Sequence, residues 1–266
     1  ETVGGQFLLA RVVPGKEEFE ETLRYYRVQL TRMGVDVRTS CKATLEQLQG
    51  FDEIVVASGV KPRPVDIDGT DLPHVFSYAE VIGGKKVAGR RVAIIGAGGI
   101  GFDTATFLLE KGPSSHRVDT FLDAWGIDRQ YRQPGGLKNP EWPAPGREIH
   151  LLQRKAEKPG RRLGKTTGWI HRANLAMKSV RMLGGVTYER ITTEGIILSH
   201  GPNRESPGLL PVDGVVICAG QEPDRRLSAA LNQLGIAHHL IGGADVALEL
   251  DAKRAINQGA RLAAQL

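Results

Sequence analysis

Apolar positions along this chain follow two periods. Val92-Ala-Ile-Ile, Glu148-Ile-His-Leu-Leu-Gln-Arg-Lys155 and Val212-Asp-Gly-Val-Val-Ile-Cys218 contain short, nearly continuous apolar runs, as expected of strands covered on both faces of a parallel sheet. Phe51-Asp-Glu-Ile-Val-Val-Ala57 is a fourth such run. Residues 17–33 instead place Phe19, Leu23, Tyr26, Leu30 and Met33 at helical spacing, with acids in the first turns and bases in the last, as the helix dipole favours. Residues 167–180 repeat that spacing with Trp169, Ile170, Ala173, Ala176 or Met177, and Val180, and Gly184-Gly185 reads as the stop. Leu45 to Leu48 reads as one helical turn, and Asp123-Ala-Trp-Gly-Ile-Asp128 as a short helix. The pattern also predicts strands at Gln6-Phe-Leu-Leu-Ala and Val35-Asp-Val-Arg. A hairpin is expected from Val186-Thr-Tyr-Glu-Arg and Gly195-Ile-Ile-Leu-Ser, followed by a loop over residues 201–211. Near the end, a strand from His238 passes through a glycine turn and Asp245 into a terminal helix. Buried strands alternating with helices predict an α/β fold with a parallel sheet in three layers.

Chemistry enters where one strand meets its helix. Arg91-Val-Ala-Ile-Ile-Gly-Ala-Gly-Gly-Ile-Gly-Phe-Asp103 is a buried run, a Gly-x-Gly-x-x-Gly turn and a helix start without interruption. In such a turn Gly96 permits the sharp exit from the strand, Gly98 lets backbone approach a pyrophosphate, and Gly101 lets the helix pack on the sheet. The helix N-terminus then offers free N–H groups to the phosphates. A lone glycine fingerprint is a weak signal among 33 glycines, but here it sits between a strand and a helix, the context that a dinucleotide site requires.

Charge sharpens the picture. The net charge of +5 is accounted for by one window, in which Arg154, Lys155, Lys158, Arg161, Arg162, Lys165 and Arg172 face the single acid Glu157. A local cluster of this kind suits an anion site better than a nucleic-acid surface, where cations spread over several elements among aromatic residues. The cluster begins at the end of the expected second strand, where an acid would hold a ribose 2′-hydroxyl and a base would accept a 2′-phosphate. Gln153-Arg154-Lys155 therefore points to NADPH, with Arg154 as the forked partner and Lys155, Lys158 or Lys165 as point charges. Gly160-Arg-Arg-Leu-Gly-Lys-Thr166 has three residues between its glycines where a Walker phosphate loop needs four, so it is no ATPase motif.

Two cysteines far apart, Cys41 and Cys218, exclude a CxxC pair, an iron–sulfur motif or a zinc motif within this sequence, and Cys218 and His171 are expected to be a packed core thiol and a solvated helix residue. The absence of a basic-then-apolar leader or a long apolar run leads us to expect a cytoplasmic protein that engages neither membrane nor nucleic acid. Residues 112–147, with Ser114-Ser-His, Gln133-Pro-Gly-Gly and Trp142-Pro-Ala-Pro-Gly, lose all periodicity and read as an insertion between the nucleotide helix and the second strand. Strand-Gly-x-x-Pro occurs twice, at Val55-Val-Ala-Ser-Gly-Val-Lys-Pro62 and Val215-Val-Ile-Cys-Ala-Gly-Gln-Glu-Pro223. These two crossings divide the expected organisation into a Rossmann-like domain at residues 87–222 and an incomplete second α/β lobe from residues 1–86 and 223–266.

The two strand-Gly-x-x-Pro motifs, the central glycine fingerprint and Ile241-Gly-Gly-Ala-Asp245 resemble the flavoproteins with two dinucleotide domains. Gly5-Gln-Phe-Leu-Leu-Ala, Pro14-Gly-Lys-Glu-Glu-Phe19, Leu152-Gln-Arg-Lys155, Gly164-Lys-Thr-Thr-Gly-Trp-Ile-His171 and Val216-Ile-Cys-Ala-Gly-Gln-Glu-Pro223 are similar to the C-terminal part of the bacterial NADPH-dependent 2,4-dienoyl-CoA reductases, over essentially the whole chain. The resemblance implies an NADPH domain set in a truncated FAD domain, in which hydride passes from NADPH to FAD. Electrons would continue through a 4Fe–4S cluster to FMN and reduce a dienoyl-CoA, all held by a preceding barrel and cysteine-rich segment. It implies that Gly96, Gly98, Gly99, Ile100 and Gly101 hold the NADPH pyrophosphate, Arg154, Lys155, Lys158 and Lys165 its 2′-phosphate, and Ala219 and Gly220 the nicotinamide half. Ala43 would meet the FAD adenine, Ala57, Ser58 and Gly59 its pyrophosphate, and Gly243 and Asp245 its ribityl or pyrophosphate region; Asp245 also reads as a helix N-cap. The opening at Glu1 suggests a piece of a longer protein without the first FAD glycine turn, so the isolated chain is expected to purify colourless; stoichiometric flavin after dialysis would contradict this. The competing reading is a non-catalytic domain holding NADPH or ADP, like that of the amine-dehydrogenase flavoproteins.

Overall fold

The structure is a computed structural model that describes residues 2–110, 118–141, 144–201, 203–248 and 251–266. In chain order, helices α1 (Gln6–Ala10), α2 (Phe19–Arg32) and α3 (Leu45–Leu48) precede strands β1 (Val55–Val56), β2 (Val60–Pro62) and β3 (Val75–Ser77). Helix α4 (Tyr78–Ile82), β4 (Arg91–Ile95), α5 (Gly99–Leu109), α6 (Val118–Ala124), β5 (Glu148–Gln153) and α7 (Gly168–Met177) follow. Then come β6 (Arg181–Gly184), β7 (Val186–Thr192), β8 (Gly195–His200), β9 (Glu205–Pro211), β10 (Gly214–Ile217), β11 (Gln221–Pro223), α8 (Arg226–Gln233), β12 (His239–Leu240) and α9 (Ala252–Ala263).

The larger of two compact units comprises Gln6–Tyr25 and Val65–Ala219. Its centre is a parallel sheet of order β3-β10-β4-β5-β6. The apolar runs are continuous because both faces are covered. Val92, Ile94, Ile149, Leu151 and Val216 face a core shared with Val81 of α4, Phe102, Ala105 and Leu108 of α5, and Leu175 of α7. Ala93, Ile95, Leu152 and Val215 face the other core, under the antiparallel sheet β7-β8-β9 that supplies Val186, Ile191, Ile196 and Leu198. The result is three layers: helices, parallel sheet and antiparallel sheet. Strand β3, N-terminal to the expected boundary at residue 87, pairs with β10 in this sheet.

The smaller unit takes Tyr26–Pro64 and Gly220–Leu266 with the first few residues of the chain. β1 pairs in parallel with β12, and Ile54, Val56, Leu231 and Ala244 form the core between them and α8. The two strand-Gly-x-x-Pro motifs meet in this unit as an antiparallel ribbon, β2 against β11, with Lys61 and Glu222 paired at 3.0 Å.

Several expected elements differ. Gln6–Ala10 is a helix and not a strand: Phe7 stacks edge-on against Phe19 at 5.0 Å and Leu9 packs on the core, contacts that suffice without a ladder partner. Residues 35–38 form no strand, since no neighbouring strand pairs with them among the described residues. Helix α7 ends at Met177; Ser179 turns the chain at φ +61°, and Arg181–Gly184 is the edge strand β6. The loop expected over residues 201–211 contains a third strand, β9, which pairs with β8 and tolerates Pro207 and Pro211 because it is an exposed edge. In the insertion the helix is α6, ending at Ala124. Asp128, expected in a helix, is a buried turn carboxylate accepting from the Gln130 and Arg132 amides at 3.0 Å each, and the Arg132 side chain holds its pKa below the ordinary value. The readings at Ser114-Ser-His and Trp142-Pro143 lie outside the described residues.

His150 in β5 introduces a pH dependence. Its ring is buried, with Nε2 at 3.2 Å from the Glu148 carboxylate and Nδ1 without a partner. Burial lowers its pKa from 6.5, so below about pH 6.5 the unfolded chain binds a proton that the folded chain resists. The His150 contribution to stability is therefore complete above that pH and lost as pH falls through the folded pKa. Denaturation midpoints measured from pH 7.5 to 5 should fall, and His150→Gln should flatten the slope; an unchanged slope would remove His150 as its source.

Candidate functional site

The glycine turn is built by steric necessity. Gly96 leaves β4 with φ +113°, and a Cβ there would stand 2.4 Å from the Cys218 carbonyl oxygen. At Gly101 a Cβ would stand 1.8 Å from the Gly96 oxygen, so α5 sits as close to the strand end as backbone allows. Gly98 and Gly99 are the opposite case: both are exposed, and no atom lies within 4 Å of a Cβ built on either. Gly98 is the N-cap of α5 and has no side chain to satisfy the helix's first N–H groups. Ile100 stands half-buried in the first turn. The open space over Gly98 and Gly99, the free amides and the positive end of the helix dipole suit a pyrophosphate.

The basic loop returns onto this turn. The Gly160 amide donates to the Ala97 carbonyl at 3.2 Å, and a Cβ on Gly160 would stand 2.6 Å from the Phe102 ring of α5. Within the loop the charges sort themselves. Arg161 and Arg162 lie 3.7 and 3.6 Å from the Glu157 carboxylate, and Arg172 donates to the Gly160 carbonyl at 2.9 Å. Arg154, Lys155, Lys158 and Lys165 are exposed and carry no ion pair among the described residues. Arg154 is also near Tyr188 of β7: burial pushes that phenol's pKa up, and the guanidinium acts against the shift. The loop that carries Arg154, Lys155, Lys158 and Lys165 thus leaves the carboxyl end of β5 and is tied to the glycine turn through the Gly160–Ala97 hydrogen bond, at the edge where open α/β sheets bind ligands. Ala219 joins them, its amide nitrogen 3.2 Å from the Cβ that Gly96 lacks.

A second set of residues gathers in the smaller unit. Ala57, Ser58 and Gly59 leave β1 beside Ile241, whose amide donates to Val56, and the Ser58 hydroxyl donates to the Asp224 carbonyl at 2.5 Å. Gly242, Gly243 and Ala244 form a buried 3-10 turn at the same end of β12. Asp245 does not cap the terminal helix, as one reading proposed. Asp251 does so, accepting from the Arg254 amide, because the helix begins at Ala252, seven residues after Asp245. The Asp245 carboxylate instead accepts from Gln258 at 2.8 Å, and the same Gln258 accepts from the Gly242 amide at 2.8 Å. Arg225 donates to the Ala244 carbonyl at 3.0 Å. Sequence reasoning missed Gln258 and Arg225, whose partners lie 13 to 19 residues away and follow no motif. Gly220 lies in this unit, its carbonyl accepting from the Arg63 amide at 3.0 Å. Ala43 lies on the exposed loop before Thr44, the N-cap of α3, with no bond tying it to the others among the described residues.

The family model described as pyridine nucleotide-disulphide oxidoreductase matches residues 2–252. The chain belongs to this family. Binding of FAD and a nicotinamide dinucleotide follows from membership, and the chain is a flavin-dependent NAD(P)H oxidoreductase domain. A metal reductase of Desulforamulus reducens is 29% identical over 86% of this chain and 34% of its own length. A bilirubin reductase of Mediterraneibacter gnavus is 25% identical over 97% of this chain and 34% of its own. Among solved structures, 2-naphthoyl-CoA reductase in complex with 2-naphthoyl-CoA superposes over the whole chain and 35% of its own with a TM-score of 0.80 at 20% identity, a likeness of fold. The chain thus spans about a third of the length of the relatives it matches. The family's disulphide chemistry has no counterpart in Cys218, which is buried against Thr104 at 3.5 Å with its thiol pushed up to about 12 by burial. Among the described residues no helix is long and apolar enough to cross a membrane, and no group of side chains suits a metal.

Proposed function

We propose that this chain is the electron-input part of a 2,4-dienoyl-CoA reductase, binding NADPH in the larger unit and, in the whole protein, contributing the smaller unit to the FAD site. The observation that carries the reading is the pairing of an open glycine turn with unpaired Arg154 and Lys155 at the next strand's end. Gly98 and Gly99 expose backbone to the pyrophosphate, and the N–H groups of α5 donate to its oxygens. Arg154, Lys155, Lys158 and Lys165 receive the 2′-phosphate, which NADH lacks. Ala219 flanks the nicotinamide half. On the flavin side, Gln258 holds the Asp245 carboxylate and the Gly242 amide in one turn toward the ribityl or pyrophosphate region. When bound, the two dinucleotides supply hydride chemistry, and the protein supplies orientation. By this reading FMN, a 4Fe–4S cluster and the dienoyl-CoA site belong to other parts of the whole protein. Two relatives named as reductases support the reductive direction.

The test is a pair of measurements. The chain should bind NADPH more tightly than NADH, and the whole protein should oxidise NADPH when given a 2,4-dienoyl-CoA. Failure of both cofactors to bind would overturn the dinucleotide reading. NADPH oxidation with other acceptors but not with the thioester would leave the electron-input role and remove the substrate.

A further inference from the structure

Gln153 is the last residue of β5 and precedes Arg154. Its side-chain amide nitrogen donates to two backbone carbonyls of the loop that follows, Lys155 at 3.0 Å and Glu157 at 2.7 Å. The Lys155 carbonyl also accepts from the Gly185 amide at 2.9 Å. Both carbonyls face Gly184, where a Cβ would stand 2.9 Å from the Glu157 oxygen and 3.1 Å from the Lys155 oxygen. Any other residue at Gly184 would push this loop away. Gln153 and Gly184 are register partners on β5 and β6, so the loop folds back over the edge of the sheet and is fastened there at three points.

With the Lys155 and Glu157 carbonyls turned inward, the N–H groups of the same trans peptide units, those of Ala156 and Lys158, point to the other side. The amides of Ala156 and Lys158 have no acceptor among the described residues, and the side chains of Lys155 and Lys158 have no ion pair there. Free backbone amides and unpaired cations in one short loop suit an oxyanion group. We propose that Gln153 is a positioning residue for cofactor discrimination: by holding the Lys155 and Glu157 carbonyls inward, it presents the loop's amides and cations to the 2′-phosphate. It touches no cofactor atom. The proposal rests on the NADPH reading and adds that discrimination depends on the shape of the loop as well as on Arg154.

The test uses Gln153→Met, which keeps the length of the side chain and removes both donors, and Gln153→Asn, which keeps the amide but is one methylene too short to span both carbonyls. NADPH and NADH are titrated calorimetrically against each, beside thermal melts and amide exchange. With two hydrogen bonds lost, the Kd for NADPH should rise about 5- to 20-fold in Gln153→Met and by less in Gln153→Asn. The NADH value should stay within about twofold, since the glycine turn supplies that affinity. Exchange of the Gly185 amide should quicken while that of Gly96, bonded to the Leu152 carbonyl at 2.9 Å, is unchanged. Equal losses for both cofactors, or no loss for NADPH, would overturn the role of Gln153. A wild-type chain without preference for NADPH would overturn the underlying phosphate reading first, and the two failures are told apart by the wild-type titration alone.

Discussion

Gly101→Ala should damage the fold and Gly98→Ala should spare it while abolishing tight cofactor binding, although the two positions are three residues apart in one turn. At Gly101 the added methyl would stand 1.8 Å from the Gly96 oxygen, 3.0 Å from its carbonyl carbon and 3.3 Å from Leu151. Two of these are backbone atoms fixed by the sheet, so α5 must lift away from β4 and take Phe102, Ala105 and Leu108 out of a close-packed core. Overpacking of this kind costs about 3 kcal/mol, which corresponds to a fall in melting temperature of roughly 6–12 °C for a unit of this size. At Gly98 the backbone is extended, at φ −88° and ψ −171°, and the methyl meets nothing within 4 Å. It projects instead into the open space proposed for the pyrophosphate. Melting should therefore change by less than about 2 °C, while the Kd for NADPH rises at least about tenfold, the value of one phosphate contact. Calorimetric melts and NADPH titration of both variants check this. A Gly98→Ala protein that binds NADPH normally would mean that the turn only joins a strand to a helix.

The turn was legible because everything it needs lies within thirteen consecutive residues, and steric rules for glycine act locally. Strand and helix assignments failed where the decision belonged to distant partners. Five apolar or neutral residues at Gln6–Ala10 suit either period, and the contact of Phe7 with Phe19 settled the matter. β9 carries two prolines and a glycine, poor strand material that only the neighbouring β8 makes extended. Residues 35–38 have strand composition and no ladder to join. The basic window shows the same limit in charge: the sequence places seven cations near one acid, but only the fold tells which two Glu157 neutralises and which four remain available. The sequence also marked Asp245 as a residue of interest without revealing its partner, because Gln258 reaches it from the far side of a helix start that the periodicity put too early.

Replacing Arg154 by Glu should convert the preference of the larger unit from NADPH toward NADH. Arg154 is the first residue after β5, exposed and without an ion pair among the described residues, and the loop behind it returns to the glycine turn through Gly160 and Ala97. A guanidinium fork on the 2′-phosphate is worth about 1.5–3 kcal/mol. Its loss should weaken NADPH binding about 10- to 150-fold, and repulsion between the new carboxylate and the phosphate adds to this. NADH has no such phosphate, and a carboxylate at a strand end of this kind accepts from ribose hydroxyls, so its affinity should hold or rise. Lys155→Ala and Lys165→Ala should each have smaller effects, because an ammonium is a single point charge on a flexible stem and the remaining cations share its task. The high-salt behaviour should follow: the NADPH advantage of the wild type shrinks as ionic strength rises, and the variant, which has lost the main cation, shows a shallower dependence. Titration of both cofactors at two salt concentrations against wild type and Arg154→Glu measures all of this. Equal losses for NADPH and NADH would assign Arg154 to the fold or the pyrophosphate, and the discrimination would then rest on Lys155, Lys158 and the loop amides that Gln153 holds outward.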